Sequence, residues 1–330
     1  MDRTLPDADH PRQALLVGPR RFAFEARPPR ELAPRDVRVR VRICGVCASE
    51  QADWKAGPRA APVELGHEVA GVVDEVGKDV TAVAPGAAVT GLFRAGFSEY
   101  AVAPENRVVP VPEGVDVRDA LGEPLACIVG AASRTRVELG DTVALVGVGF
   151  MGLLMLQAVR LRGAGRVIAI DVRPDALEAA RRLGAHEAYT PDRLPERLRV
   201  PQRRAIEPGW GVDVAVEASG TQAGLTLAGE LAREHGQISI LGYHNEGDGW
   251  RQVHLQLWNW KALDVQNAHE RRLDVKTACV RTGLRLLAAG RIDVASLITH
   301  RFALDDIHDA FAALESKAPG FCKAVVEIPR

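Results

Sequence analysis

The stretch "LGHEVAGVVDEVG", Leu65 to Gly77, sets His67 and Glu68 side by side after a glycine and then runs on as an apolar, valine-rich strand. Titratable pairs are costly to bury unless something compensates them. Upstream, "GVCASE" places Cys47 and Ser49 one residue apart, with Glu50 next, and downstream "LGEPLAC" carries Glu123. Thiolate, imidazole and carboxylate are the donors that a catalytic zinc accepts, three from the protein with a fourth position open. Taken singly, each residue has a plainer reading. A lone cysteine is usually buried packing, and Glu68 could be a satisfied carboxylate at a strand end. Taken together, in and just after one β-rich stretch, they mark a candidate metal centre.

A second chemistry-bearing pattern lies further on. Gly147, Gly149 and Gly152 form G-x-G-x-x-G, with an apolar strand pattern before and an amphipathic helix pattern after. In that setting the first glycine permits a tight turn and the second admits a pyrophosphate. The third lets helix and strand pack closely, while the helix N-terminus offers its positive end. Asp171 closes the next strand 19 residues after Gly152. An acid there bonds ribose hydroxyls and repels a 2′-phosphate, which favours NAD over NADP, with Arg173 two residues on pulling the other way. The candidate cofactor contacts are Gly147, Gly149, Phe150, Met151, Gly152, Asp171, Val172, Arg173, Ser219 and Gly242.

The elements that must position these residues have two textures. From about Arg12 to Val115 the chain is strand-like, with "DVRVRVRICG", "VAGVVDEVG" and "AAVTGLF" divided by glycines and prolines, as in a β-rich, barrel-like unit. From about Asp141 strands alternate with helices. "DTVALVGVGFMG" leads into a helix with Met151, Leu154, Met155 and Ala158 on one face, and "RVIAID", "VDVAVEAS", "GQISILG" and "LDVQNA" follow as strands. Buried strands alternating with helices predict a doubly wound parallel sheet. Pro174 opens a helix that stops near Gly184, and 274–290 and 303–316 read as helices. "CKAVVEI" is a last strand that could close back onto the first unit, and 191–209 reads as a charged surface segment. The domain expectation is therefore 1–125 catalytic, 126–266 nucleotide-binding, and 267–330 returning to the first.

The 330 residues are 47% apolar and 26% charged, with a formal charge of −1, which suits two globular domains and argues against a nucleic-acid partner. No apolar run reaches the roughly 18 residues of a membrane helix. The acidic, proline-broken N-terminus is unlike a secretory signal. Five widely spaced cysteines then point to a reducing cytoplasm and to ligand or nucleophile roles over bridges.

The sequence resembles the zinc-containing alcohol and polyol dehydrogenases of the medium-chain dehydrogenase/reductase family. The resemblance rests on "GHEVAGVVDEVGKDV", "GVCASE", "FSEYAV", "EPLA", the nucleotide turn and "LITHRFALDDIHDAF", so it covers nearly the whole chain. It implies an α/β protein with a GroES-like catalytic domain and a Rossmann domain. By that resemblance Cys47, His67 and Glu123 are zinc ligands, Glu123 in the carboxylate variant of the sorbitol and threonine dehydrogenase branch. Glu68 is a glutamate beside the metal that exchanges with water as a ligand, and the catalytic residues are Ser49, His67 and Glu68, with Ser49 passing the substrate proton outward. Burial of the His67–Glu68 pair is then offset by the divalent charge. Cys44 reads as a packed bystander, Cys279 and Cys322 as core, and Cys127 as a neighbour of the nicotinamide without a chemical role.

Three features depart from the family pattern. Only seven residues separate Val89 from Phe97, none a cysteine, so the structural-zinc lobe is absent and one zinc per chain is expected. The histidine that commonly ends the proton relay is replaced by Ala52, leaving Asp53, water or a ribose. Where a glycine-bearing strand usually passes the nicotinamide stands "QNAHERR", so His269 and Glu270 either face the substrate or the cofactor or form a surface charge cluster or a subunit-interface pair. The implied reaction is oxidation of a secondary alcohol. Zinc acidifies its hydroxyl, Ser49 takes the proton, and a hydride passes to the nicotinamide. Glu123, Ser49, His269, Glu270, Tyr243 and His244 favour a polyhydroxylated substrate such as a polyol, sugar, cyclitol or amino alcohol. Trp54 is a candidate pocket wall, as are Trp258 and Trp260, for which a core position is the commoner reading. The family also implies a homodimer or homotetramer, with sheet extension near Val265 as the route. The competing readings are a zinc-free quinone or enoyl reductase of the same fold, disfavoured by the Cys47–His67 pair, and a retired NAD-binding scaffold.

Overall fold

The computed structural model describes residues 10–200, 209–245 and 247–329. They form two compact units. One runs up to Ala126 and resumes from Arg272, and the other is Cys127–Arg271.

The first unit holds β1 (Arg12–Gly18), β2 (Arg21–Ala26), β3 (Asp36–Gly45), β4 (Val63–Glu64), β5 (Glu68–Val76), β6 (Ala88–Gly91), β7 (Tyr100–Pro104) and β8 (Val108–Pro110). A short α1 (Gln51–Ala56) lies between β3 and β4, and α2 (Gly122–Arg134) leaves the unit. In "DVRVRVRICG" the strand period sends Val37, Val39 and Val41 into the core, fully buried, while Arg38 and Arg40 reach Asp74 of β5 at 2.9 and 3.0 Å. Each such valine contributes about 1.5–3 kcal/mol by leaving water. The end of β3 pairs on one side with β5, Gly45 opposite Glu68, and on the other with the C-terminal strand. Three chain segments distant in sequence are thereby drawn to one place.

The second unit is a six-stranded, all-parallel sheet. Its strands are β9 (Thr142–Val146), β10 (Arg166–Ile170), β11 (Glu187–Tyr189), β12 (Val212–Glu217), β13 (Ala232–Ile240) and β14 (Asp264–Asn267), in the order β11-β10-β9-β12-β13-β14. The doubly wound order follows from right-handed crossovers through α3 (Phe150–Leu161), α4 (Pro174–Arg182) and α5 (Gln222–Leu231), with α6 (Leu255–Trp260) before β14. The expected parallel sheet is thus observed.

The chain returns to the first unit through α7 (Leu273–Ala288), β15 (Ile298–Ala303), α8 (Ile307–Ser316) and β16 (Lys323–Glu327). β16 pairs antiparallel with β3, so the last strand does close back onto the first sheet. The helix expected over 303–316 begins later. Arg301, Phe302 and Ala303 pair with Val325, Val326 and Glu327, and a 3-10 turn over Leu304–Asp306 precedes α8. Sheet pairing overrides the helical pattern there. Of the charged stretch 191–209, short 3-10 turns form at Pro191–Arg193 and Glu196–Leu198, and residues 201–208 lie outside the described residues.

Lys261 ties the segment before β14 to α5 of the parallel-sheet unit. Its side chain is fully buried and Nζ donates to the carbonyls of Gly229, Glu230 and Ala232 at 2.9, 2.9 and 2.8 Å, closing the C-terminus of α5. Lys261→Met orphans three carbonyls at once, and at about 1–3 kcal/mol for each unpaired buried group the variant should lose about 3 kcal/mol or more. Urea unfolding of the two proteins measures this.

Candidate metal centre and nucleotide site

The 3-10 turn Ala48–Glu50 begins right after Cys47, and β5 begins at Glu68, right after His67. The two segments bring Cys47, His67 and Glu68 together, each offering a ligand atom within 4.8 Å of the others. Ser49 Oγ donates to Cys47 Sγ at 3.2 Å. Sulfur, imidazole nitrogen and carboxylate oxygen at one point form a donor set that fits zinc.

Around the triad lies a shell that sequence reasoning did not assign. Glu50, buried, stands 2.9 Å from His67 Nδ1 and accepts from Gly66 N at 2.8 Å, which orients the ring and leaves Nε2 for a ligand. Burial pushes the His67 imidazole down, but the hydrogen bonds it donates to Cys47 and Glu50, with their charges, carry it up to about 12. Glu68 is sealed in the interior with Lys323 of β16, whose Nζ lies 2.8 Å from Oε1 and 2.6 Å from Oε2 and also donates to Val46 O at 3.0 Å. A methyl group at Gly45 would run into this carboxylate, so glycine there is a space requirement. The burial cost that the sequence reading left to the metal is thus met for Glu68 by a lysine 255 residues away.

Glu123, in the first turn of α2, is not part of the cluster. Its Oε1 accepts from Lys276 Nζ of α7 at 3.0 Å. Cys44 is fully buried, with burial pushing its thiol up, and Cys279 is buried too, whereas Cys322 and Cys127 are half-buried. All five cysteines are unbridged. Ala52 and Asp53 are exposed on α1. Trp54 is a correction: it is not a pocket wall but packs in the core, its ring 5.4 Å from that of Phe311, because α1 turns this face inward.

In the second unit Gly147, Gly149 and Gly152 lie at the turn from β9 into α3. Gly147 has φ +91, and a Cβ there would meet Ser219 N at 2.7 Å, while one at Gly152 would strike the carbonyl of Gly147. A Cβ at Gly149, before α3, would reach the Arg173 guanidinium at 4.0 Å, an ordinary contact. Phe150 is buried and Met151 half-buried on the first turn of α3. Asp171 accepts from Val148 N and Arg173 N, both at 2.9 Å, with the Arg173 guanidinium 3.7 Å away and Val172 exposed beside it. Ser219 donates through Oγ to Glu217 at 2.5 Å. Glu217, fully buried, also receives Ser219 N and Gly220 N and touches His244 Nε2 at 2.9 Å, so it organises the ends of β12 and β13, Gly242 included. His244 is engaged on its other nitrogen by Arg251 at 3.0 Å. The advance signal for Glu217 was an acid at the end of an apolar strand. His269 lies beyond β14 with its ring 5.9 Å from that of Tyr243, and Glu270 caps its own neighbour, Arg271 N. Trp258 packs partly buried against the sheet core, and Trp260 is exposed.

Comparison with known proteins agrees in both units. Residues 33–113 match the profile of the alcohol dehydrogenase GroES-like domain, and residues 151–282 that of the zinc-binding dehydrogenases. Together these take in well over half the chain. A D-xylulose reductase of Aspergillus niger is 28% identical over 90% of this chain and 91% of its own length. An L-threonine 3-dehydrogenase of Rhizobium johnstonii is 28% identical over 88% and 91%. A solved Sinorhizobium meliloti structure, described as a zinc-binding dehydrogenase bound to NADP, superposes with a TM-score of 0.85 at 27% identity, over 97% of this chain and 99% of that one.

Proposed function

We propose that this chain, which belongs to the zinc-containing alcohol dehydrogenase family of medium-chain dehydrogenases/reductases, moves a hydride between a polyhydroxylated secondary alcohol and NAD. The observation that carries the reading is the meeting of Cys47, His67 and Glu68, with Glu50 behind the imidazole. A bound zinc supplies Lewis acidity to a substrate hydroxyl, and the nicotinamide supplies the acceptor. Cys47, His67 and Glu68, which meet, would hold the metal; the family resemblance adds Glu123 as a third ligand with Glu68 exchanging, although the structure pairs Glu123 with Lys276 outside the cluster. Ser49 would take the hydroxyl proton, a role supported by its bond to the Cys47 sulfur. Glu50 fixes the His67 tautomer. Gly147 to Gly152 cradle the pyrophosphate, and Ser219 and Gly242 border the nicotinamide half.

The β-rich unit is the catalytic domain in this reading, and Cys127–Arg271 the nucleotide domain. A cytoplasmic setting suits five unbridged cysteines, and no helix among the described residues is long and apolar enough to cross a membrane. A homodimer through the edge of β14 is supported by that strand's exposure, with Val265, Leu255 and Trp260 open to solvent.

The test is elemental analysis of the chelator-free protein, followed by a polyol panel with NAD. About one zinc per chain and NAD-dependent oxidation are expected. No zinc even after reconstitution would sink the reading in favour of the zinc-free reductase. The preference for NAD rests on one charge. Asp171→Asn keeps an acceptor for the Val148 and Arg173 amides but removes the repulsion toward a 2′-phosphate, next to a guanidinium. The ratio of kcat/KM for NAD over NADP should fall about 10- to 100-fold, which is about 1.4–2.7 kcal/mol of discrimination.

A further inference from the structure

Glu217 is fully buried at the carboxyl end of β12, and both of its oxygens face donors. Oε1 accepts from Ser219 N at 2.8 Å, Ser219 Oγ at 2.5 Å and Gly220 N at 2.9 Å. Oε2 lies 2.9 Å from Nε2 of His244, which follows β13. Arg251 Nε reaches the other ring nitrogen of His244 at 3.0 Å. A guanidinium only donates, so Nδ1 accepts and the ring proton sits on Nε2, aimed at the carboxylate. Arg251 also donates to Gly220 O at 3.3 Å, so the chain of bonds returns to the turn it began from. That turn is closely packed. A Cβ at Gly147 would lie 2.7 Å from Ser219 N, one at Gly220 would lie 3.0 Å from Tyr243 O, and one at Gly242 would run into Glu217 Oε2. The glycine turn after β9 has anchors of its own, Gly147 N on Ile170 O at 2.8 Å and Val148 N on Asp171 at 2.9 Å.

We propose that Glu217 and His244 are positioning residues for the nicotinamide half of the dinucleotide: they fix the backbone of Ser219, Gly220 and Gly242 where that half binds, and leave the adenosine half untouched. The inference rests on the nucleotide-site reading above. In an open parallel sheet the ligand lies beyond the carboxyl ends of the strands, at the point where the strand order reverses. Here that point falls between β9 and β12. Asp171 follows β10 on one side of it, and Glu217 ends β12 on the other. An acid that bonds ribose hydroxyls gives the β10 side to the adenosine half, which leaves β12 and β13 to the nicotinamide half.

Calorimetric titration of the full chain with NADH and, separately, with AMP tests this without reference to turnover. Glu217→Gln cannot satisfy the network in either amide orientation. With its oxygen toward Ser219 and Gly220, its NH2 meets the Nε2 proton of His244; turned over, its NH2 meets the two backbone N–H groups. NADH affinity should fall about tenfold, the order of one hydrogen bond to a charged group, while AMP affinity stays at the wild-type value. His244→Leu should show the same split. His244→Gln should keep wild-type NADH affinity, since its amide donates to Glu217 and accepts from Arg251. His244 is the less buried partner, so its two variants carry the test if Glu217→Gln does not fold. Undiminished NADH affinity in Glu217→Gln or His244→Leu overturns the proposal. So does an equal loss for NADH and AMP, which marks general damage to the sheet, and so does a His244→Gln variant as weak as His244→Leu. A wild type that binds neither ligand overturns the nucleotide-site reading and this proposal with it, so the two failures are told apart.

Discussion

Cys47→Ser yields a protein that folds but holds no zinc at stoichiometric loading, and its turnover with polyol and NAD falls by at least about 10³. The size follows from what the sulfur does. A Lewis acid contributes several kcal/mol to charge development at the reacting oxygen, and each 1.36 kcal/mol is a factor of ten in rate. Cys47 is half-buried after β3 and opens a 3-10 turn, so a serine fits its backbone, and nothing in the core depends on the sulfur. Cys44→Ser is the matching control. That thiol sits fully buried between Gly66 and Gly96, and its loss costs packing while zinc content stays near one per chain. Elemental analysis beside circular dichroism separates the two variants. Equal zinc in Cys47→Ser and wild type would remove this cysteine from the ligand set.

The donor residues were legible because each lies in a short segment with its own local signal: a thiol and hydroxyl before a turn, a Gly-His-Glu at the mouth of a valine strand. The nucleotide turn was legible for the same reason, since strand, glycines, helix and terminal acid fall within one βαβ unit. Missing from view were the groups that neutralise and orient those donors. Glu50 stood in plain sight, but its hydrogen bond to His67 spans two segments. Lys323 is a polar residue in an apolar last strand, and only the pairing of β16 with β3 puts it against Glu68. Lys276 lies 153 residues from Glu123, on a helix whose amphipathic pattern says nothing about that partner. Periodicity reports which face of an element is buried. It does not report which elements face each other, and the ion pairs live on that second link. Trp54 failed for a related reason: the large ring near the ligands served the packing of α1 against α8.

Lys323→Met should destabilise the protein by about 3–5 kcal/mol, the cost of stranding a buried carboxylate. The pair is as enclosed as a charge pair can be, with side chains 5% and 2% exposed, and Nζ also satisfies the Val46 carbonyl. Burial pushes the ammonium down, but Glu68 first and then the Cys47 sulfur outweigh it, so Lys323 sits above its ordinary 10.5. The sign follows: the pair's contribution is complete below about pH 10.5 and is lost only as pH climbs through the folded value. Acid down to neutrality leaves it intact. Glu68→Gln in the Lys323→Met background should recover most of the loss, because the unpaired charge goes with it. Zinc supplies a second test of the same arithmetic. A dication bound at Cys47 and His67 lies close enough to Glu68 to replace part of the missing ammonium, so the penalty measured by urea unfolding should be smaller in the zinc-loaded variant than in the stripped one. A penalty under about 1 kcal/mol in the stripped protein would mean that Glu68 is protonated or hydrated when its lysine is gone, and that β16 is not what holds this strand end in place.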